Sequence, residues 1–112
     1  MRERYYTPEQ LEQLEQRRQA LGEDAIRDAE REWAEIFAAL RVEMDAGTDP
    51  ADPKLRPIGD RAHELLEMFT GGDPGIQIAL KRMYENEDPE KLSRGMADRA
   101  VMEYLTQVRA AR

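Results

Sequence analysis

A single histidine, a single serine and no cysteine limit the chemistry open to this 112-residue chain. His63 has Glu64 and Glu67 beside it. A di-iron site of the helix-bundle type needs Glu-x-x-His on two helices, and no second histidine exists. Ser93 is the one serine, so a Ser-His-Asp arrangement has no convincing nucleophile. Carboxylates are plentiful, yet Glu12, Glu15, Glu30, Glu32, Glu35 and Glu43 fall among arginines on predicted solvent faces, as ordinary helix-surface charge. The run Thr70-Gly71-Gly72-Asp73-Pro74-Gly75 follows a predicted helix and lacks the Lys-Ser/Thr ending of a phosphate loop. It reads as a helix stop followed by a new cap. Without paired acid and base groups, the chain is expected to be no enzyme and to hold neither a metal nor a cofactor.

What remains is binding. The aromatic residues are Tyr5, Tyr6, Trp33, Phe37, Phe69, Tyr84 and Tyr104. Met44, Met68, Met83, Met96 and Met102 add flexible, polarizable side chains of the kind that adapt to irregular ligands. Phe37 and Phe69 are assigned to plain core. Trp33, His63, Tyr84 and Tyr104 are equally suited to core and to the wall of a small-molecule pocket, which combines aromatic lining with a few polar tips.

Helices must position these side chains. Four Asp-Pro pairs, beginning at Asp49, Asp52, Asp73 and Asp88, carry the signature of a helix start. The carboxylate accepts from free N–H groups, and Pro in the first turn has no N–H to leave unpaired. Thr7 and Gln10 form a capping-box pattern. Gly22, Gly47 and Gly71-Gly72 close segments. The spacing predicts helices over 8–21, 23–46, 53–70, 74–86 and 89–110, with Pro57 bending the third and Ser93-Arg94-Gly95 able to split the last. No strand-type alternation occurs, so the fold is predicted to be all-α. The second helix carries the stripe Ile26, Ala29, Trp33, Ile36, Phe37, Leu40 and Met44. Leu92, Met96, Ala100, Val101, Tyr104, Leu105 and Val108 form the stripe of the last.

The first helix differs. Its apolar positions are Leu11, Leu14 and Leu21, and Arg18 stands where the stripe should be completed. A short helix needs tertiary packing to persist in water. Residues 1–22 are therefore expected to form a weakly docked, mobile element on a helical core of residues 23–112. Composition agrees: Leu, Ile, Val and Phe number 20 of 112 residues, a thin supply for a core.

The net charge of −7 and pI near 4.8 argue against direct nucleic-acid binding by this chain. No apolar run approaches membrane-spanning length, and the charged start has no apolar segment behind it. A cytoplasmic protein is expected, without membrane contact.

The stretches TPEQLEQLEQRRQALGEDAIRDAEREWAEIFAALRVEMDAGTDPADP and FTGGDPGIQIALKRMYE resemble the TipAS-type effector domain of MerR-type transcriptional regulators. The more specific parts are Glu32-Trp33, the run Asp45-Ala46-Gly47-Thr48-Asp49-Pro50, and Met83-Tyr84. The resemblance implies a haem-free globin-like helical fold that binds antibiotics or other bulky hydrophobic molecules. It also implies N-terminal helices that order over the ligand as a lid. Trp33, Phe37, His63, Leu66, Tyr84 and Tyr104 would line the groove, and Tyr5, Tyr6, Leu11 and Leu14 would close it. With no cysteine, capture through a thiol is excluded and binding is noncovalent. The winged-helix DNA-binding domain and dimerising coiled coil of such regulators are not in these residues. The chain is expected to be either a piece of a regulator or a stand-alone form that sequesters its ligand; the piece is favoured, monomeric in isolation, with the dimeric regulator contacting DNA through that other domain. A rival reading makes Leu11, Leu14 and Leu21 the end of a coiled coil, and the chain a helical protein-interaction or dimerisation module with no small-molecule ligand.

Overall fold

Short polar side chains fix where the helices begin. The computed structural model describes residues 2–112. A 3-10 turn (Arg2–Arg4) precedes helix α1 (Pro8–Leu21) and helix α2 (Glu23–Asp45). A second 3-10 turn (Pro53–Leu55) leads into α3 (Arg56–Thr70), followed by α4 (Pro74–Asn86), α5 (Pro89–Leu92) and α6 (Arg99–Ala110). No strand occurs among the described residues, and the fold is all-α.

The caps act as their sequence signals imply. At α1 the Gln10 N–H donates to Thr7 Oγ1 at 3.1 Å, and the Thr7 N–H donates back to Gln10 Oε1 at 3.0 Å. Asp52, Asp73 and Asp88 accept from backbone N–H groups of Lys54, Ile76 and Glu90. Asp49 instead fastens a turn through the Ala51 N–H. Gly71, in the left-handed region at φ 68°, ends α3 by donating its N–H to the Glu67 carbonyl at 2.8 Å.

The structure settles one open expectation and corrects two others. The segment predicted as helical over 89–110, with Ser93-Arg94-Gly95 able to split it, is two helices, because Arg94 (φ 55°) and Gly95 (φ 86°) turn left-handed after α5. The Ser93 hydroxyl locks that turn, bonding both the carbonyl and the N–H of Ala97. Met96 and Ala100 consequently leave the buried stripe, and Ala97 takes a core place. Pro57 does not bend a running helix: α3 starts at Arg56, so Pro57 lies in the first turn, where its missing N–H leaves nothing unpaired. Phe69, assigned to core, is 42% exposed at the end of α3.

Two apolar clusters result. The larger joins Ile36, Phe37 and Leu40 of α2 to Leu55, to Ala62 and Leu65 of α3, and to Val101, Tyr104, Leu105 and Val108 of α6. Gly59 permits the close approach of α3 and α6: a Cβ there would lie 3.2 Å from Val108 Cγ1. The Arg41 guanidinium, 2.7 Å from the Asp98 carboxylate that caps α6, ties α2 to the start of that helix. The smaller cluster is made by Tyr6, Leu14, Ile76, Ala79 and Met83. It joins the N-terminal segment to α4.

Leu40 is fully buried at the centre of the larger cluster, whereas Val42, two residues on, is 66% exposed. Leu40→Ala should destabilise the domain by about 2–5 kcal/mol. Val42→Ser should stay within about 0.5 kcal/mol of the parent. Urea denaturation of the two variants checks this.

Candidate ligand-binding site

Helix α4 is held at both ends before anything covers it. At its start, the buried Thr70 hydroxyl donates to the Leu66 carbonyl at 2.8 Å and accepts from Gly72 N–H and Gln77 Nε2. At its end, Arg99 donates to the carbonyls of Tyr84 and Glu87. Between these anchors, Ile76, Ala79 and Met83 recur at steps of three and four and form one apolar face.

The N-terminal segment lies on that face. Tyr6 is only 3% exposed and Leu14 only 5%, and Tyr5, Leu11, Leu80, Tyr84 and Leu92 pack around them. Two polar clasps hold the segment. The Tyr5 hydroxyl donates to Glu87 Oε2 at 2.6 Å, with Arg4 also 3.8 Å from that oxygen. Arg17 of α1 donates through Nε and Nη2 to the Met68 carbonyl at 3.0 and 2.6 Å. Gly71 makes room for this second clasp, since a Cβ there would lie 3.0 Å from Arg17 Cδ.

The phenols carry the polarity of the site. The Tyr6 hydroxyl is buried and has no hydrogen-bond partner among the described residues. Burial pushes its pKa up to about 12, only partly opposed by Arg2, whose guanidinium lies 5.8 Å from the ring centre. Burial also raises Tyr84, which adds to the shift of Tyr6.

The groove residues named from sequence are divided between places. Tyr84 joins all four of the proposed lid residues, Tyr5, Tyr6, Leu11 and Leu14. Trp33, Phe37 and Tyr104 belong to the larger cluster instead. Trp33 stacks on Phe37 with ring centres 5.5 Å apart, and the Tyr104 hydroxyl donates to the Thr48 carbonyl at 2.7 Å. His63 is partly exposed, with Nε2 3.6 Å from Glu67 Oε1 and Nδ1 buried without a partner among the described residues. Leu66 is half-buried and belongs to neither cluster. Arg17 was missed, because the sequence pattern drew attention to its neighbour Arg18, which is exposed. Of α4, Tyr84 was named from sequence as a groove residue, whereas Ile76, Ala79 and Met83, which form its apolar face, were not.

An open groove of about 270 Å³ lies elsewhere, between α2 and α3, lined by residues including Ile36, Ala39, Pro57 and Ile58. Its rim charges are already matched, with Arg61 bonded to Glu32 at 2.5 Å. Among the described residues, no group of three His, Asp or Glu side chains is placed to hold a metal ion.

The family model of the TipAS antibiotic-recognition domain matches residues 1–110. The chain belongs to this family. The match includes the N-terminal segment as well as the helices beneath it, so both sides of the smaller cluster are parts of one TipAS domain. The family is one of ligand-binding regulatory domains and not a known enzyme family. No curated protein and no solved structure matches the chain.

The raised pKa of Tyr6 makes docking of the segment pH-dependent. An unfolded tyrosine ionises near pH 10. The contribution of Tyr6 is therefore fully present below about pH 10 and is lost as pH rises through about 12. A titration at 295 nm should contain a phenol ionising near pH 12 that disappears in Tyr6→Phe. An unchanged titration curve would contradict the assignment.

Proposed function

We propose that this TipAS domain is the ligand-sensing part of a MerR-type transcriptional regulator. It binds antibiotics or other bulky hydrophobic molecules noncovalently, and residues 2–22 close over them. The observation that carries this reading is that the smaller apolar cluster is shared between α4 and the N-terminal segment. Tyr6 and Leu14 are the buried contributions of that segment, and its polar attachments include the Tyr5–Glu87 and Arg17–Met68 contacts. A ligand entering between segment and α4 exchanges a small apolar contact for a larger one.

The ligand is centred on Tyr84, Met83 and Ile76, beneath Tyr5, Tyr6, Leu11 and Leu14. Trp33 and Phe37 support the domain from the larger cluster, and the Tyr104 hydroxyl is already engaged. The absence of cysteine leaves no thiol for covalent capture. DNA contact and dimer formation fall to other parts of the regulator, in keeping with the acidic charge of this chain. No helix among the described residues is long and apolar enough to cross a membrane, which accords with a cytoplasmic regulator. The coiled-coil reading of Leu11, Leu14 and Leu21 has less support, because Leu14 is buried within the chain and Leu11 packs beside it.

A panel of bulky antibiotics, thiopeptides included, should contain compounds that raise the melting temperature. A ligand at about 100 times its Kd that binds only the folded form adds about 2.7 kcal/mol of stability. Leu14→Ala, which removes the buried residue of α1, should weaken such a compound about tenfold. A panel that leaves the melting temperature unchanged throughout, or affinity insensitive to Leu14→Ala, would count against the reading.

A further inference from the structure

The smaller cluster contains one feature that apolar packing does not explain. Tyr6 is nine-tenths buried and more, yet its hydroxyl finds no acceptor or donor among the described residues. An unpaired buried hydroxyl is costly, and phenylalanine would fill the same volume without that cost. The neighbouring Tyr5 hydroxyl, by contrast, is committed to Glu87 at 2.6 Å. The residues around Tyr6 in the cluster, Leu14, Ile76, Ala79 and Met83, offer no strong acceptor in their side chains. None of these four is charged, and the Arg2 guanidinium beside Tyr6 lies over the ring at 5.8 Å from its centre; a neutral ligand suits this apolar setting.

We propose that the Tyr6 hydroxyl is the polar anchor of the ligand site, donating a hydrogen bond to a carbonyl oxygen of an uncharged, ring-bearing ligand. This rests on the reading that ligands bind between the N-terminal segment and α4. The apolar floor supplies most of the contact area and is indifferent to ligand identity. The one unpaired donor then selects among ligands of similar size and apolarity. A ligand that presents a carbonyl to Tyr6 relieves the unpaired hydroxyl, whereas one that lacks an acceptor leaves it buried and unsatisfied. Tyr6 also belongs to the segment and not to the floor, so the same bond fastens the covering element to the bound molecule.

The test uses two neutral fused-ring dyes and the full chain. Nile red carries a carbonyl acceptor, and N-phenyl-1-naphthylamine carries no oxygen. Tyr6→Phe should weaken Nile red about three- to tenfold, the range of one hydrogen bond, and leave N-phenyl-1-naphthylamine within twofold. The variant should melt at the parent temperature or above, because it removes a polar group that had no partner. Leu14→Ala, which alters only apolar contact, should weaken both dyes alike. Equal affinity of Nile red for the parent and Tyr6→Phe would overturn the anchor while leaving the ligand site standing. A melting temperature lowered by several degrees in Tyr6→Phe would also overturn it, since the hydroxyl would then already be satisfied. Failure of both dyes to bind the parent, or indifference of both to Leu14→Ala, would overturn the site itself and the anchor with it.

Discussion

The smaller apolar cluster cannot be closed by the helical core alone. Helices α2, α3 and α6 bury their stripes against one another around Leu40, Leu65 and Val101. The face of α4 is completed by Tyr6 and Leu14 of the N-terminal segment, with Tyr5, Leu11 and Leu92 packed around them. That segment therefore has a different relation to the fold from every later helix. It covers a surface that is already positioned, because Thr70 and Arg99 anchor α4 at its two ends independently of the cover.

The segment also packs against the body beyond α4, since α1 contacts α2 and α3. Helix α1 has 14 residues, a length at which isolated helices are marginal in water, and Leu14 is its one buried residue. Its capping box and proline start favour the helix locally, while its persistence depends on what lies beneath it. The two clasps are also of a particular kind. Tyr5 and Arg17 reach outward from the segment to acceptors on the body, so a ligand between them could be covered without dismantling α4. That combination supports the proposal that a ligand orders the cover, since ordering on binding suits large or varied ligands.

Much of this architecture was legible in the residues. Thr7, Asp52, Asp73 and Asp88 mark helical starts because a short acceptor side chain next to proline has few other uses. The sparse stripe of Leu11, Leu14 and Leu21 sets α1 apart from the later helices, and Leu14 is its one buried residue. What periodicity could not give was the partner of each face. Trp33 and Tyr104 suit core and pocket wall equally by composition; Trp33 packs against the larger cluster, stacked on Phe37, and Tyr104 is buried within it. Phe69 lies one helical turn beyond the buried Leu65, but Gly71 ends the helix just after it and the ring is 42% exposed. Tyr6 and the Arg17 clasp were unreadable as buried or bonded features, since both depend on contacts with α4 and α3 that are distant in sequence.

The central claim is that ligand occupancy controls the order of the N-terminal segment over α4. Amide hydrogen exchange on the full chain, with and without an antibiotic that raises its melting temperature, tests it most directly. Opening free energies differ among the elements of a fold, and exchange reports them amide by amide. The account predicts that amides of residues 8–21 exchange faster than those of α2 and α6 in the unliganded chain and slow at least tenfold on binding. Protection in α1 equal to that in α6, and unchanged by the bound compound, would contradict it.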